Sequence, residues 1–450
     1  MAMAREENDE LTRREFLKTT GAAAALAGLA LNGISVRAED VQEQSKSVPA
    51  SEKIVVGVIG VSGRGSQLLN RFKSNPDVEI GAVCDVYEPR VMAGIQEAGG
   101  NAKGYSDFRK LLEQKDIDAV IVATTPHWHP LISIYACQAG KDVYCEKPIS
   151  RYPAEAKAML KAALENKRVT QVGTQIHAEN NFRRVVEIVR SGMLGKIMSV
   201  NVICTMNVYP GGCGRPADGN PPTELDWDMW LGPAPKVPYN EARFNLHRYF
   251  HDYVGSWLNE LGPHIVDLPY WALEPGEPLS VSASGGRFVA DDISDIPDTM
   301  TVIWEYPNFT MNWIHTSCNS YNFGFGKPPD CGRRLGVIFH GTQGTLMSNY
   351  FWHQVISEGD RLKDFQPPAE SIPPSPGHER EFLDAIKTRE QPSCSFEYHV
   401  PLAITLNLGQ IAFDTGRKIR WDSKAGRAIG DREVDRALRP RYRKPWRLPD

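Results

Sequence analysis

The sequence predicts an α/β first domain of parallel strands, joined to a second, α+β domain built on a large mixed or antiparallel sheet. Three observations predict this. At 450 residues the chain is too long for one hydrophobic core and suits two domains of roughly 100–200 residues each. From Lys53 to about Thr174, short β-branched runs alternate with helical periodicity, the pattern of parallel β-α-β units. After Gln175 strands follow one another with few helices between them, the pattern of an α+β domain.

In the first domain, strands are predicted at 54–59, 79–84, 119–123, 142–145 and 170–172, separated by helical stretches such as 66–72 and 154–165. The second domain, 175–450, opens with a helix predicted at 181–190. Strands are predicted at 198–206, 279–288, 299–306, 310–316 and 335–340. A Gly/Pro-rich insertion with two tryptophans, Tyr209 to Pro238, is long for a structureless connection, and loops of that length are usually functional or disordered.

Apolar residues make up 41% and charged residues 24% of the chain, close to the globular average, which excludes wholesale disorder and a membrane-embedded body. The net charge of −4 gives no bulk basic character to neutralise phosphates, so nucleic acid is not an expected partner. The locally basic tail from Arg436 to Arg447 reads as a solvated surface strand or a subunit contact.

Residues 1–38 have the layout of an export signal. Thr12-Arg13-Arg14-Glu15-Phe16-Leu17-Lys18 precedes an apolar run from Gly21 to Leu31, and Val36-Arg37-Ala38 offers small residues for cleavage. Paired arginines before Phe-Leu-Lys are of the twin-arginine type, read by a translocase that carries folded proteins. This points to a periplasmic or otherwise exported protein. The run is too short for a stable membrane anchor, which needs roughly 20 apolar residues. A polar leader, residues 39–52, links signal to fold.

Eight cysteines stand scattered at 84, 137, 145, 204, 213, 318, 331 and 394, with no C-x-x-C pair. Neither a disulfide framework nor a zinc site is expected from that spacing, and most of these thiols read as buried and inert. His127-Trp128-His129 is a poor chelate without a third ligand, so no metal is predicted.

The strongest chemical signal follows the first strand. Gly60-Val61-Ser62-Gly63-Arg64-Gly65 lies between a β-branched run and a helical segment, the order a Rossmann dinucleotide-binding turn requires. The first glycine permits the tight turn, small residues let backbone approach a pyrophosphate, and the helix start supplies unpaired N–H groups. Ser62 stands where the middle glycine is usual. Asp85 ends the second strand about 20 residues on, where a carboxylate accepts from the adenosine ribose hydroxyls. This favours NAD as cofactor; Arg90, able to reach a 2′-phosphate, is the opposing cue for NADP.

Ala123-Thr124-Thr125-Pro126-His127-Trp128-His129, followed by Tyr144-Cys145-Glu146-Lys147-Pro148, resembles the Gfo/Idh/MocA oxidoreductase family. Val172-Gly173-Thr174-Gln175, Trp230-Leu231-Gly232-Pro233, Glu260-Leu261-Gly262-Pro263-His264 and Glu379 to Ile386 extend the match over nearly all of the mature chain. The resemblance implies an NAD(P)-dependent oxidoreductase of sugar-like substrates. Around the cofactor it implies Thr124, Pro126, His129, Glu146, Lys147 and Gln175, with Lys147 where nicotinamide meets substrate and a cis peptide common before the proline.

An ammonium beside a reacting hydroxyl can polarise it and relay its proton as hydride leaves. The resemblance further implies an acid and a histidine four residues apart on one helix. Glu260 and His264 have that spacing within Ser256–Leu273, and such residues share a helical face. His264 is then the general base and Glu260 its partner or a hydroxyl binder, although many relatives carry Asp there. Asp252 and Tyr253 would line the sugar pocket, Asp252 on vicinal hydroxyls and Tyr253, or a tryptophan from the insertion such as Trp227 or Trp230, against a ring face.

An exported dinucleotide enzyme has little free cofactor around it. Cofactor loaded before translocation, held tightly and recycled within one catalytic cycle resolves this. Reversible oxidation of a sugar or glycoside hydroxyl ranks first. Net glycoside cleavage through transient C3 oxidation and elimination ranks second, because the Gly-Gly-His-Gly-type signature of such glycosidases is absent before Trp257. A non-catalytic sugar-binding protein is a distant third. By the resemblance a homodimer or homotetramer is expected.

Overall fold

The computed structural model describes residues 52–449 except 209–210, 322 and 326–332. The signal, most of the linker and Cys331 lie outside the described residues. Six parallel strands form the first sheet: β1 (Ile54–Ile59), β2 (Val78–Cys84), β3 (Lys103–Tyr105), β4 (Ala119–Val122), β5 (Asp142–Glu146) and β6 (Thr170–Gly173). Their order is β3-β2-β1-β4-β5-β6, the doubly wound order that leaves a crevice at the carboxyl ends of β1 and β4. Central β4 is buried along its whole length, as a strand covered by helices on both faces must be. β3 escaped the sequence reading because Lys-Gly-Tyr has neither length nor β-branching.

The second sheet has ten strands: β7 (Ile197–Asn207), β8 (Ser280–Gly286), β9 (Thr299–Glu305), β10 (Thr310–Thr316), β11 (Cys318–Asn319), β12 (Arg333–Gly341), β13 (Gly344–Ser348), β14 (His353–Ser357), β15 (Ile419–Asp422) and β16 (Arg427–Ala428). Its path runs β14-β13-β12-β7-β10-β9-β8-β15-β16, and β11 pairs with β7. All pairs are antiparallel except β7 with β10. Strict alternation sends Met300, Val302 and Trp304 of β9 and Met311, Trp313 and His315 of β10 to the core face.

That face is covered by the helix Phe396–Thr415, to whose Thr405 carbonyl the Trp304 indole donates at 2.9 Å. This helix is apolar on nearly every side and most of it is buried, so it offers no amphipathic periodicity, and the sequence reading did not single it out. The single helix predicted over Ser256–Leu273 is two, Trp257–Ile265 and Asp267–Leu273, separated at Val266. Ser256 caps the first by accepting from Leu258 N at 3.2 Å.

Two C-terminal segments return to the first domain. The helix His378–Thr388 buries Phe382 edge-on against Phe72 and Tyr144, with ring centroids 6.2 and 5.9 Å away. Arg380 and Lys387 clasp Asp77 at 2.8 and 2.5 Å, and Arg389 holds Asp142 at 2.6 Å. The first domain's core is therefore completed by chain well beyond residue 174. The basic tail forms no strand, although Arg436, Arg439, Arg441, Lys444 and Arg447 are exposed as expected of a solvated segment. It is a strap: Tyr442 donates to Glu155 at 2.6 Å, Arg443 pairs with Asp228 at 2.6 Å, and the Trp446 ring meets Trp128 at 4.7 Å.

Candidate active site

At the carboxyl ends of β1, β4 and β5 an open cleft brings together most of the predicted cofactor residues. Gly60, Ser62, Gly63, Arg64 and Asp85 line it, as do Thr124, Pro126, His129, Glu146 and Lys147. The three glycines do different work. Gly60 turns the chain at φ 86°, and a Cβ there would meet Ala123 backbone at 2.7 Å. Gly65 lies so close to the turn that its Cβ would stand 1.8 Å from the Gly60 carbonyl oxygen, so it packs helix on strand rather than lining the cleft. Gly63, at φ 51°, starts the helix Arg64–Lys73, and a Cβ there would enter open space.

That helix has no side-chain cap and no acid in its first turn, leaving its N–H groups and dipole to an anion from outside. Arg64 adds a cation. Its Nε donates to Glu146 at 2.7 Å, while one guanidinium nitrogen is buried without a partner. Glycine cradle, open helix start and orphaned guanidinium together fit a dinucleotide pyrophosphate.

Asp85 is nearly buried and already accepts from Val61 N at 3.2 Å and Tyr87 N at 3.1 Å, so it tethers the glycine turn from the second strand. Burial raises its pKa, opposed chiefly by Arg90. Arg90 reaches the same cleft with its guanidinium 4.5 Å from the Phe244 ring centroid.

Lys147 precedes a cis proline, as the resemblance implied. Its ammonium donates to the Glu260 carboxylate and to the Glu260 carbonyl, each at 3.1 Å. Both side chains are largely buried, at 13% and 7% exposure. Burial alone would raise the Glu260 pKa, but Lys147, Arg248 and His247 outweigh it and hold it at about 2. Glu146, on the other side, accepts from Lys147 N at 3.3 Å; burial raises its pKa against the pull of Arg64 and Lys147.

His129 bridges the turn on both sides, with Nδ1 2.8 Å from the Pro148 carbonyl and Nε2 3.0 Å from that of Thr124. Two acceptors suit an imidazolium, whereas burial pushes the pKa down to about 4. Burial dominates in so dry a place. Through these two contacts the ring ties the Pro148 carbonyl, and with it the residue after Lys147, to the turn after β4.

Besides Gly65, four predicted residues lie elsewhere. Gln175 does not line the cleft; it donates to Gly173 O at 2.6 Å and Tyr144 OH at 3.2 Å, bracing the end of β6. Tyr253 is fully buried among aromatics, 4.9 Å from the Trp230 ring and 5.0 Å from His127. Asp252 pairs with Arg243 at 3.2 Å and lines a separate cavity with Arg151 and His251. His264 is half-buried one helical turn, about 6 Å, beyond Glu260 and outside the cleft lining. Its carbonyl accepts from Tyr350 at 3.0 Å.

The opposite wall comes from residues the sequence reading passed over: Met229, Phe244, Asn245, His247 and Arg248, together with Trp230. They belong to or follow the insertion, which folds around an aromatic cluster with Trp227 stacked on Trp230 at 4.6 Å. Backbone bonds from Glu88 N to Glu224 O, 3.1 Å, and from Asp226 N to Val86 O, 3.0 Å, tie it to the first domain just past Asp85. His247 beside Glu260 had no motif to mark it; only the count of polar residues in His247 to Tyr253 hinted at a site.

Fold and cleft define a dinucleotide-binding oxidoreductase architecture, and comparison with known proteins agrees. The profile of an oxidoreductase family with an NAD-binding Rossmann fold matches residues 54–174, and that of the same family's C-terminal alpha/beta domain matches 178–293. The chain belongs to the Gfo/Idh/MocA family. A twin-arginine translocation signal matches residues 10–30, so the protein is exported by that pathway.

Inositol 2-dehydrogenase of Salmonella typhimurium is 30% identical over 147 residues, 32% of this chain and 44% of the relative. A glycosyl hydrolase family 109 protein of Saccharopolyspora erythraea is 31% identical over 216 residues, 44% and 46% of the two chains. The chain thus spans less than half the length of these curated relatives. Among solved structures, the WlbA dehydrogenase of Bordetella pertussis in complex with NADH and UDP-GlcNAcA shares the fold at TM-score 0.62 and 18% identity, over 82% of this chain and 99% of that one. Among the described residues no helix is long and apolar enough to cross a membrane.

Proposed function

We propose that the protein oxidises and re-reduces a secondary hydroxyl of a sugar or glycoside with NAD that is loaded before export and retained. The observation that carries this reading is the Lys147–Glu260 clasp at 3.1 Å, set in the cleft that the dinucleotide turn opens into. The bound dinucleotide supplies the hydride acceptor. Asp85 favours NAD, since a 2′-phosphate beside it would face a carboxylate. The insertion, strapped across the second strand's end, supports retention.

Lys147 has three N–H donors and spends two on Glu260, leaving one for a substrate hydroxyl oxygen. That bond stabilises the alkoxide as it develops. Glu260, ionised beside it, holds the Lys147 side chain in orientation. The hydroxyl proton needs a neutral base. Burial, with Arg248, Lys147 and His129 nearby, lowers His247 to about 4 despite Glu260, so its ring is neutral at physiological pH. In this reading His247, on the cleft, takes the role that helix spacing assigned to His264.

His247→Ala is expected to slow turnover about 10²-fold and remove an acid limb near pH 4, with His264→Ala costing under about tenfold. The reverse order in steady-state rates returns the base to His264. Mass spectrometry of small molecules released from denatured, undialysed protein tests retention: stoichiometric NAD(H) is expected, and an empty protein ends the preloaded mechanism. The glycosyl hydrolase family 109 relative keeps net glycoside cleavage as a second reading. Release of the aglycone without accumulation of a ketone separates it from net oxidation. A dimer or tetramer, proposed by family likeness, is checked by light scattering.

A further inference from the structure

Behind the cleft, three segments distant in sequence place His177, Asp267 and Cys394 together in a dry pocket, and we propose that they bind a structural zinc ion. All three side chains are buried, Asp267 and Cys394 completely. One ligand atom from each lies within 4.8 Å of the others. His177 Nε2 stands 3.4 Å from Asp267 Oδ1. Two ligands on a tetrahedral zinc with bonds of about 2.0–2.1 Å are themselves about 3.4 Å apart. Seating the Cys394 sulfur takes a closure of about 1 Å, which rotation of its short side chain supplies.

The polar atoms here are left unsatisfied to a degree that a packed interior rarely tolerates. His177 Nε2 faces the Asp267 carboxylate as an ion pair, but His177 Nδ1 and Asp267 Oδ2 make no hydrogen bond. His399, equally buried and with both ring nitrogens also unpartnered, lies outside that group of three but near enough for the charges of Asp267 and His177 to act on it, and has to turn inward to supply a fourth ligand. A thiolate and a carboxylate neutralise a divalent cation, and neutral imidazoles complete its shell, so the filled site carries no net charge into a dry interior. Binding releases the protons that the ligand side chains carry, that of the Cys394 thiol and that of the His177 ring.

Sulfur and imidazole donors select zinc over magnesium or calcium. Neighbouring side chains hold each ligand in place: Tyr398 OH donates to Asp267 Oδ1 at 2.5 Å, the Cys394 sulfur lies 3.2 Å from Thr174 Oγ1, and Trp271 stacks on His177 at 4.0 Å. The ion would join the chain after β6 to the helix following Glu260 and to the start of Phe396–Thr415. So enclosed a site fills as the chain folds, before export. Sequence spacing gave no hint of it, since His177, Asp267 and Cys394 share no local motif.

The test is elemental analysis of the full-length protein as purified, together with protein produced in cobalt-supplemented, zinc-poor medium. Expected are about one equivalent of zinc and, in the cobalt form, a thiolate-to-cobalt absorption band that Cys394→Ser removes and Cys213→Ser keeps. Wild-type protein with under a tenth of an equivalent of any transition metal and no cobalt band overturns the proposal, whether or not the variants fold. A cobalt band that survives in folded Cys394→Ser overturns it as well.

Discussion

The two walls of the cleft are built by different physics. The first-domain wall, from Gly60 to Lys147, hangs on strand ends, where short-range rules fix each position: a positive φ at Gly60, a helix start at Gly63, a carboxylate at the end of β2. The insertion wall hangs on aromatic packing. Trp230 is held by Trp227, Tyr253 and His127, and its carbonyl receives the Trp128 indole at 3.0 Å. The first wall is specified by backbone geometry that few residues can satisfy, the second by side-chain volume that many sequences could supply. The first should fail locally when altered, and the second cooperatively.

The largest effect is expected at Lys147, where the walls meet. Lys147→Ala should lower kcat/KM by roughly 10³-fold or more while bound dinucleotide stays stoichiometric. Steady-state kinetics beside cofactor quantification checks this, and near-normal turnover removes Lys147 from the chemistry. Trp230→Ala should destabilise by about 3–5 kcal/mol, the cost of emptying a buried aromatic site, with a lowered midpoint in denaturant. A shift under 1 kcal/mol would mean the insertion wall is not cooperative.

Gly63→Ala should cost about 1–3 kcal/mol of stability: its Cβ has room, but φ 51° with ψ −105° lies outside the left-handed region that L-residues tolerate. It should nevertheless weaken dinucleotide retention, because that room is where the cofactor's backbone approach occurs. Full retention would place the pyrophosphate elsewhere.

Acid should affect the insertion wall most gently. Burial pushes His127, under Trp230, down to about 3, and His315, under the large sheet, down to about 4. Unfolded histidine titrates near 6.5. Between that value and about 4 the unfolded chain binds protons that these folded rings refuse, so their contribution is complete above pH 6.5 and declines as the pH falls. Thermal midpoints should drop from pH 7 to pH 4.5, and His127→Gln should flatten the drop; an unchanged slope would remove His127 as a cause.

Much of the fold was legible. β1 and β10 lie where the alternation predicts, because apolar period and length leave little freedom there. The glycine turn, Asp85 and the Glu-Lys-Pro run were legible as local motifs. Phe396–Thr415 was not, since a helix buried on all sides has no polar face to reveal its period. Glu260 and His264 illustrate the limit within one helix: spacing puts both on one face, but only Glu260 lines the cleft. His247 and the pocket of His177, Asp267 and Cys394 carry no motif.

By itself the sequence determined the export signal, the strand–turn–helix that receives a dinucleotide, and the lysine at the end of β5, because each depends on neighbours a few residues away. Only the tertiary structure decided which carboxylate meets Lys147, which histidine reaches the cleft and what the insertion covers. Those contacts join segments up to more than a hundred residues apart, and packing sets their distances, which no local pattern records.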